Sequence, residues 1–170
     1  LKKEEPQDAL VALIVAERYV KEAGIPVPAK VKSLRKEAYT KGIGVMLERA
    51  KLAIRDGEYG DALGPLNLVE KYSKESSMPV PGEVEKLRKD AYKKGVETKL
   101  TEAKGALKEG RGTDAVGILN VVELYARRAG ISAVKEIEDL RHNAYELSIN
   151  NKFSEAKEAL KNREYSDAFG

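Results

Sequence analysis

The chain has 170 residues, 42% of them apolar and 35% charged, with eight Tyr, two Phe and no Trp. That is ordinarily one domain's length, and many charges with few aromatics suit long surface helices better than a sandwich or barrel. A net charge of +3 from 31 basic and 28 acidic residues lacks the strong basic excess of a dedicated nucleic-acid binder, and the absence of cysteine excludes disulfides, thiol catalysis and Cys-based zinc sites.

The first residue is Leu1, not Met, as expected of a processed product or a piece of something longer, and no signal-peptide pattern is legible. The longest apolar run, Ala9 to Ala16, spans eight residues, far short of the roughly 20 that a membrane span needs. The first predicted element is a short helix over 8–23. Asp8 serves as its N-cap, and Ala9, Leu13, Ala16 and Val20 recur at helical spacing. Gly24-Ile25-Pro26-Val27-Pro28 stops it.

A long helix is predicted over 29–56. Val31, Leu34 and Ala38 form one stripe, and Tyr39, Ile43, Leu47, Ala50 and Ile54 form a second beside it. So broad an apolar face serves more than one neighbour. Gly42 and Gly44 weaken the helix without being expected to break it, since the corresponding place in a later copy is Ser148. Gly57 follows the last turn as a C-terminal stop, and Arg55 places a cation there.

From Asp61 the pattern repeats. Leu34-Arg35-Lys36-Glu37-Ala38-Tyr39 returns as Leu87-Arg88-Lys89-Asp90-Ala91-Tyr92 and as Leu140-Arg141-His142-Asn143-Ala144-Tyr145, each 53 residues on. Residues 8–60 and 61–113 share 24 of 53 positions, and 12 positions are common to all three copies, which is duplication and not chance. Helices are therefore predicted over 61–75, 82–109, 114–129 and 134–162, with the start of a fourth unit at 167–170. The fold class that follows is all-α, an α-solenoid of three tandem two-helix repeats at 8–60, 61–113 and 114–166 within one domain, 1–170. One such unit cannot bury its own apolar faces, whereas stacked neighbours can.

The turn Gly57-Glu58-Tyr59-Gly60-Asp61-Ala62-Leu63 resembles the inter-helix turn of the tetratricopeptide repeat, Gly-x-Tyr-x-x-Ala-hydrophobic, with Ala50 in the small-residue place before it. The second copy keeps Gly110 and Ala115 but has Gly112 in the Tyr place; the C-terminal copy keeps Tyr165 and Ala168 but has Arg163 in the Gly place. That family's unit has about 34 residues; here the extra length lies in the long helix and the Pro-containing loop. The resemblance implies an interaction scaffold and no particular ligand.

The recurrent side chains have structural and functional readings. Arg35, Arg88 and Arg141 each precede Tyr39, Tyr92 and Tyr145 by four. A ladder of this kind can stack bases or grip phosphates; the preferred expectation is an Arg lying over a Tyr ring, or bonded to the next unit, to set repeat spacing. The three Tyr are expected to be mostly buried. Tyr19, Tyr72 and Tyr125 are expected to bury the ring at a unit interface and keep the hydroxyl wet. Glu17, Glu70 and Glu123 are read as i,i+4 partners of Lys21, Lys74 and Arg127. His142 replaces Lys36 and Lys89 at a solvent-facing place, and no phosphate loop, nucleophile elbow or zinc spacing is present. No enzyme, cofactor or metal is expected.

The charge drifts along the array: residues 8–60 have ten basic against seven acidic side chains, and residues 114–166 eight against nine. In the first short helix Val11 replaces Gly64 and Gly117, and Ile14 replaces Asn67 and Asn120. Val11, Ile14 and Phe169 are the candidate assembly surface, where copies could meet head to tail. A fragment whose flanking repeats cover both ends is the alternative. The expected function is a non-enzymatic scaffold that binds protein, copies of itself included; the runner-up is a nucleic-acid module using the Arg faces.

Overall fold

A computed structural model describes residues 6–132 and 134–161. Six helices follow in order: α1 Pro6–Glu22, α2 Ala29–Asp56, α3 Tyr59–Ser76, α4 Glu83–Lys108, α5 Gly112–Ala129 and α6 Val134–Lys161. The described residues contain no strand. The short helices begin at 6, 59 and 112, two steps of 53. Phe169 and the four residues read as a fourth unit lie outside the described residues.

Two corrections concern the helix starts. Asp61 and Asp114 are not N-caps: Glu58 and Arg111 occupy that place, without a capping side-chain bond. The helix already turns before each Asp, because Asp61 N and Ala62 N both bond Glu58 O, and Ala115 N bonds Arg111 O. Asp8, likewise, lies inside α1. All three acids sit in the first turn, where they favour the positive end of the helix dipole. The C-terminal stops are left-handed residues: Gly57 at φ 83° donates to Ile54 O, and Glu58 N reaches back to Ala53 O. α2 runs unbroken through Gly42, a buried position, and Gly44.

The chain divides into two compact units, Leu1–Ala91 and Tyr92–Gly170, with the division inside α4. In the first, α2 packs against both α1 and α3. Its core joins Leu10 of α1, Tyr39, Ile43, Met46, Leu47 and Ala50 of α2, Ala62, Leu66, Val69 and Tyr72 of α3, and Val84 and Ala91 from the start of α4. α2 is packed on two sides, with the second stripe largely enclosed, but of the first stripe only Ala38 is buried: Val31 is half-buried and Leu34 exposed. Leu66 and Val69 are wholly enclosed, each such burial contributing about 1.5–3 kcal/mol. In the second unit α5 packs against α6. Val96, Ala103 and Ala106 of α4, Ala115, Leu119, Val122 and Ala126 of α5, and Ile137 and Ala144 of α6 form its core.

Candidate interaction surface

The recurrent Arg and Glu are partners of each other across helices. Arg35 Nη1 donates to Glu17 Oε2 at 2.7 Å. Arg88 Nη2 lies 2.9 Å from Glu70 Oε1, and Arg141 Nη2 donates to Glu123 Oε2 at 2.8 Å. Every short helix is thereby tied to the long helix that follows it. In the first two units the Glu therefore meets the Arg of the long helix where the sequence led us to expect the Lys four residues on. In the third, Glu123 is also bonded by Arg127. The signal was legible: both residue types recur, always 18 apart, but i,i+4 spacing on one helix was the nearer partner in sequence.

The second contact of the Arg differs by copy. Arg88 donates to Asn67 at 2.9 Å and Arg141 to Asn120 at 3.4 Å. In the first copy Ile14 takes the Asn place, and Arg35 instead lies over the Tyr39 ring, 5.5 Å from its centre. Tyr39 first and Glu17 second hold the Arg35 guanidinium above its ordinary value. Burial raises the Tyr39 hydroxyl, against the opposing pull of Arg35. Arg141 and then Arg127 hold the Glu123 carboxyl below the usual carboxylate range.

The tyrosines pair with one another one period on less 20, long helix to the next short helix. Tyr39 meets Tyr72 at 5.8 Å between ring centres, and Tyr92 meets Tyr125 edge-on at 5.4 Å. Tyr39 OH donates to Glu75 at 3.1 Å. The expectation that all three long-helix rings are buried holds only for Tyr39, 2% exposed; Tyr92 is half-buried, and Tyr145 is 50% exposed. Among the short-helix rings Tyr72 is buried, Tyr125 half-buried and Tyr19 60% exposed. The graded burial follows what covers each ring: Tyr39 has Tyr72 of α3 against it, whereas Tyr19 has Arg18 of its own helix, 5.7 Å from the ring centre.

Tyr145 is one member of an exposed stripe. Ile149, 52% exposed, and Phe153, 62% exposed, follow it at successive turns of α6. Their counterparts one and two periods earlier are covered: Ile43 and Val96 are buried, Leu47 buried and Leu100 half-buried. Sequence reading missed this stripe, since the same spacing on α2 and α4 marks core. Val11 and Ile14 are exposed, and so are Gly64, Asn67, Gly117 and Asn120 at the matching positions. These positions face outward in every copy.

Two open grooves flank the Arg–Glu ties. One is bordered by Glu17, Val27, Arg35, Tyr39 and Glu75, the other by Glu123, Ile131, Ile137 and Arg141. His142 pairs on the surface with Glu146 at 3.2 Å. Among the described residues no three His, Cys, Asp or Glu side chains converge as a metal site, and no helix is long and apolar enough to cross a membrane. Comparison with protein families, curated proteins and solved structures yields no match to this chain.

Proposed function

We propose that the chain is a non-enzymatic scaffold for protein–protein interaction, an α-solenoid of three stacked 53-residue repeats whose turn resembles the tetratricopeptide repeat. The observation that carries the reading is the α6 stripe of Tyr145, Ile149 and Phe153, exposed at successive helical turns. An apolar surface of helical pitch is suited to an amphipathic helix of a partner. The recurrence of helix starts and of the Tyr–Tyr contact from a long helix to the next short helix supports stacking, because contacts that set repeat spacing must recur.

The nucleic-acid alternative gains nothing from the geometry. Its Arg ladder is engaged by Glu17, Glu70 and Glu123, so phosphate would have to displace three carboxylates. The test is titration of the chain with a peptide copying Tyr59–Ser76 and, in parallel, with a single-stranded oligonucleotide. Saturable binding of the peptide, lost when its Leu66 and Tyr72 positions carry Asp, is the expected result. No binding by the peptide together with salt-sensitive binding by the oligonucleotide would replace this reading with the alternative.

A further inference from the structure

The groove beside the first Arg–Glu tie is walled by three helices of one unit. Glu17 of α1, Lys32, Arg35 and Lys36 of α2, and Glu75 of α3 border a space of about 390 Å³, within the range of about 300–1,000 Å³ usual for small-molecule sites. Its carboxylates are engaged: Glu17 accepts from Arg35 at 2.7 Å, and Glu75 accepts from Tyr39 OH at 3.1 Å. Glu37, the nearest acid in sequence, turns to Lys41 at 2.7 Å. Lys32 and Lys36 stand one turn apart on the same side of α2, and neither ammonium has an ion-pair partner among the described residues.

Repeat packing does not account for this pair. The Lys32 place holds Glu85 and Glu138 in the other copies, so a cation there is no requirement of an array whose spacing contacts recur. The groove beside Arg141 provides the comparison within the same chain. It is smaller, about 200 Å³, and its charged border is balanced, Arg127 and Arg141 against Glu123 and Glu138. The first groove has three cations against two carboxylates, and both carboxylates are already bonded.

We propose that the groove of the first unit binds a phosphate monoester, borne by a small molecule or by a phosphorylated side chain, with Lys32 and Lys36 as its counter-charges. Two unneutralised ammonium groups match a dianion better than a single carboxylate, and a phosphate monoester carries about −1.5 to −2 at neutral pH. Lysine serves such a group as a point charge and needs no fixed fork geometry. Arg35 adds N–H donors beyond the one that Glu17 holds, so the tie between α1 and α2 stays closed when the ligand enters. The site is separate from the α6 stripe, and the scaffold reading does not depend on it.

Amide NMR of the full chain reads the site during titration with phenyl phosphate, with a short phosphoserine peptide and with benzoate. Saturable shifts are expected at Lys32 to Tyr39 and at Glu75 and Ser76, with none around Glu138 and Arg141. Benzoate binds about tenfold more weakly or not at all. Lys32→Glu, which installs the residue of the other two copies at an exposed position, weakens the phosphate probes about tenfold or more. Lys36→Glu does the same, and circular dichroism checks that both variants are folded. Saturation by phenyl phosphate supports a small-molecule phosphate; saturation by the peptide alone supports a protein-borne one. Shifts that do not saturate, equal binding of benzoate, equal shifts at the second groove, or phosphate binding that survives both substitutions overturns the proposal.

Discussion

Ser73 occupies the place of Val20 in α1 and Ala126 in α5. Its hydroxyl is buried and has no hydrogen-bond partner among the described residues. An unmet buried hydroxyl is costly, so Ser73→Ala is expected to raise stability by about 1 kcal/mol. A lower midpoint in chemical denaturation would mean that the hydroxyl is bonded after all. Gly112 makes the opposite case. It stands where the tetratricopeptide-like turn has Tyr59 and Tyr165, and a Cβ there would lie 2.6 Å from Ala144 O and from Ser148 Oγ, and 2.8 Å from Ser148 N. Gly112→Ala is therefore expected to lose about 1–3 kcal/mol through overpacking. Ser148→Gly should restore only part, because two of the three contacts are backbone atoms; full restoration in a denaturation series would place the clash at the hydroxyl alone. The departure from the motif in the second copy thus has a packing reason that the turn sequence does not contain.

At the scale of elements, cross-helix ties outweigh local ones. Glu123 joins α5 to α6 through Arg141 and bonds Arg127 on its own helix. Its carboxyl is held below its ordinary value of 4.5. A depressed folded value means that the stabilisation is complete above that ordinary value and is lost as pH falls through the lowered one. Glu123→Gln should therefore cost stability at neutral pH and make the loss below about pH 4 shallower, since a neutral amide has no proton to take up. An unchanged acid limb in denaturant titrations would show that the tie does not contribute. The side chains are exposed enough for added salt to reduce the effect. Helix positions themselves were legible: α2 spans 29–56 as read from its stripes and its Gly57 stop. The starts of α3 and α5 came two residues earlier than the Asp suggested, because Glu58 and Arg111 close the first turn through backbone carbonyls, which no side-chain signal announces.

For the whole molecule, the proposed stacking of three repeats implies that one period can be excised. Removing residues 61–113 joins Gly60 to Asp114, a junction equivalent to Gly60–Asp61, and leaves 170 − 53 = 117 residues. Stability in such arrays is a sum of unit and nearest-neighbour terms. The shortened chain should keep its helicity per residue and still unfold cooperatively, though at lower denaturant, as circular dichroism would report. Excising half a period, 61–86, should abolish folding, because it joins two long-helix segments and removes the helix that covers Tyr39, Ile43 and Leu47. If both deletions behave alike, the 53-residue unit is not the structural unit, and the stacked reading is wrong.

Local chemistry alone determined the helices, their order, their 53-residue recurrence and the absence of strands from the described part. Those features depend on apolar spacing, on Gly and Pro stops and on duplication, all carried by neighbours in sequence. Which copies of a repeated side chain are buried could not be read that way. Tyr39, Tyr92 and Tyr145 have near-identical sequence surroundings but range from enclosed to half open, since burial belongs to the neighbour that covers a residue. The partner of Glu17, Glu70 and Glu123 likewise depended on how one helix lies on the next. Only the tertiary structure decided these, because a repeated sequence specifies the same contact surface each time, and packing determines whether anything occupies it.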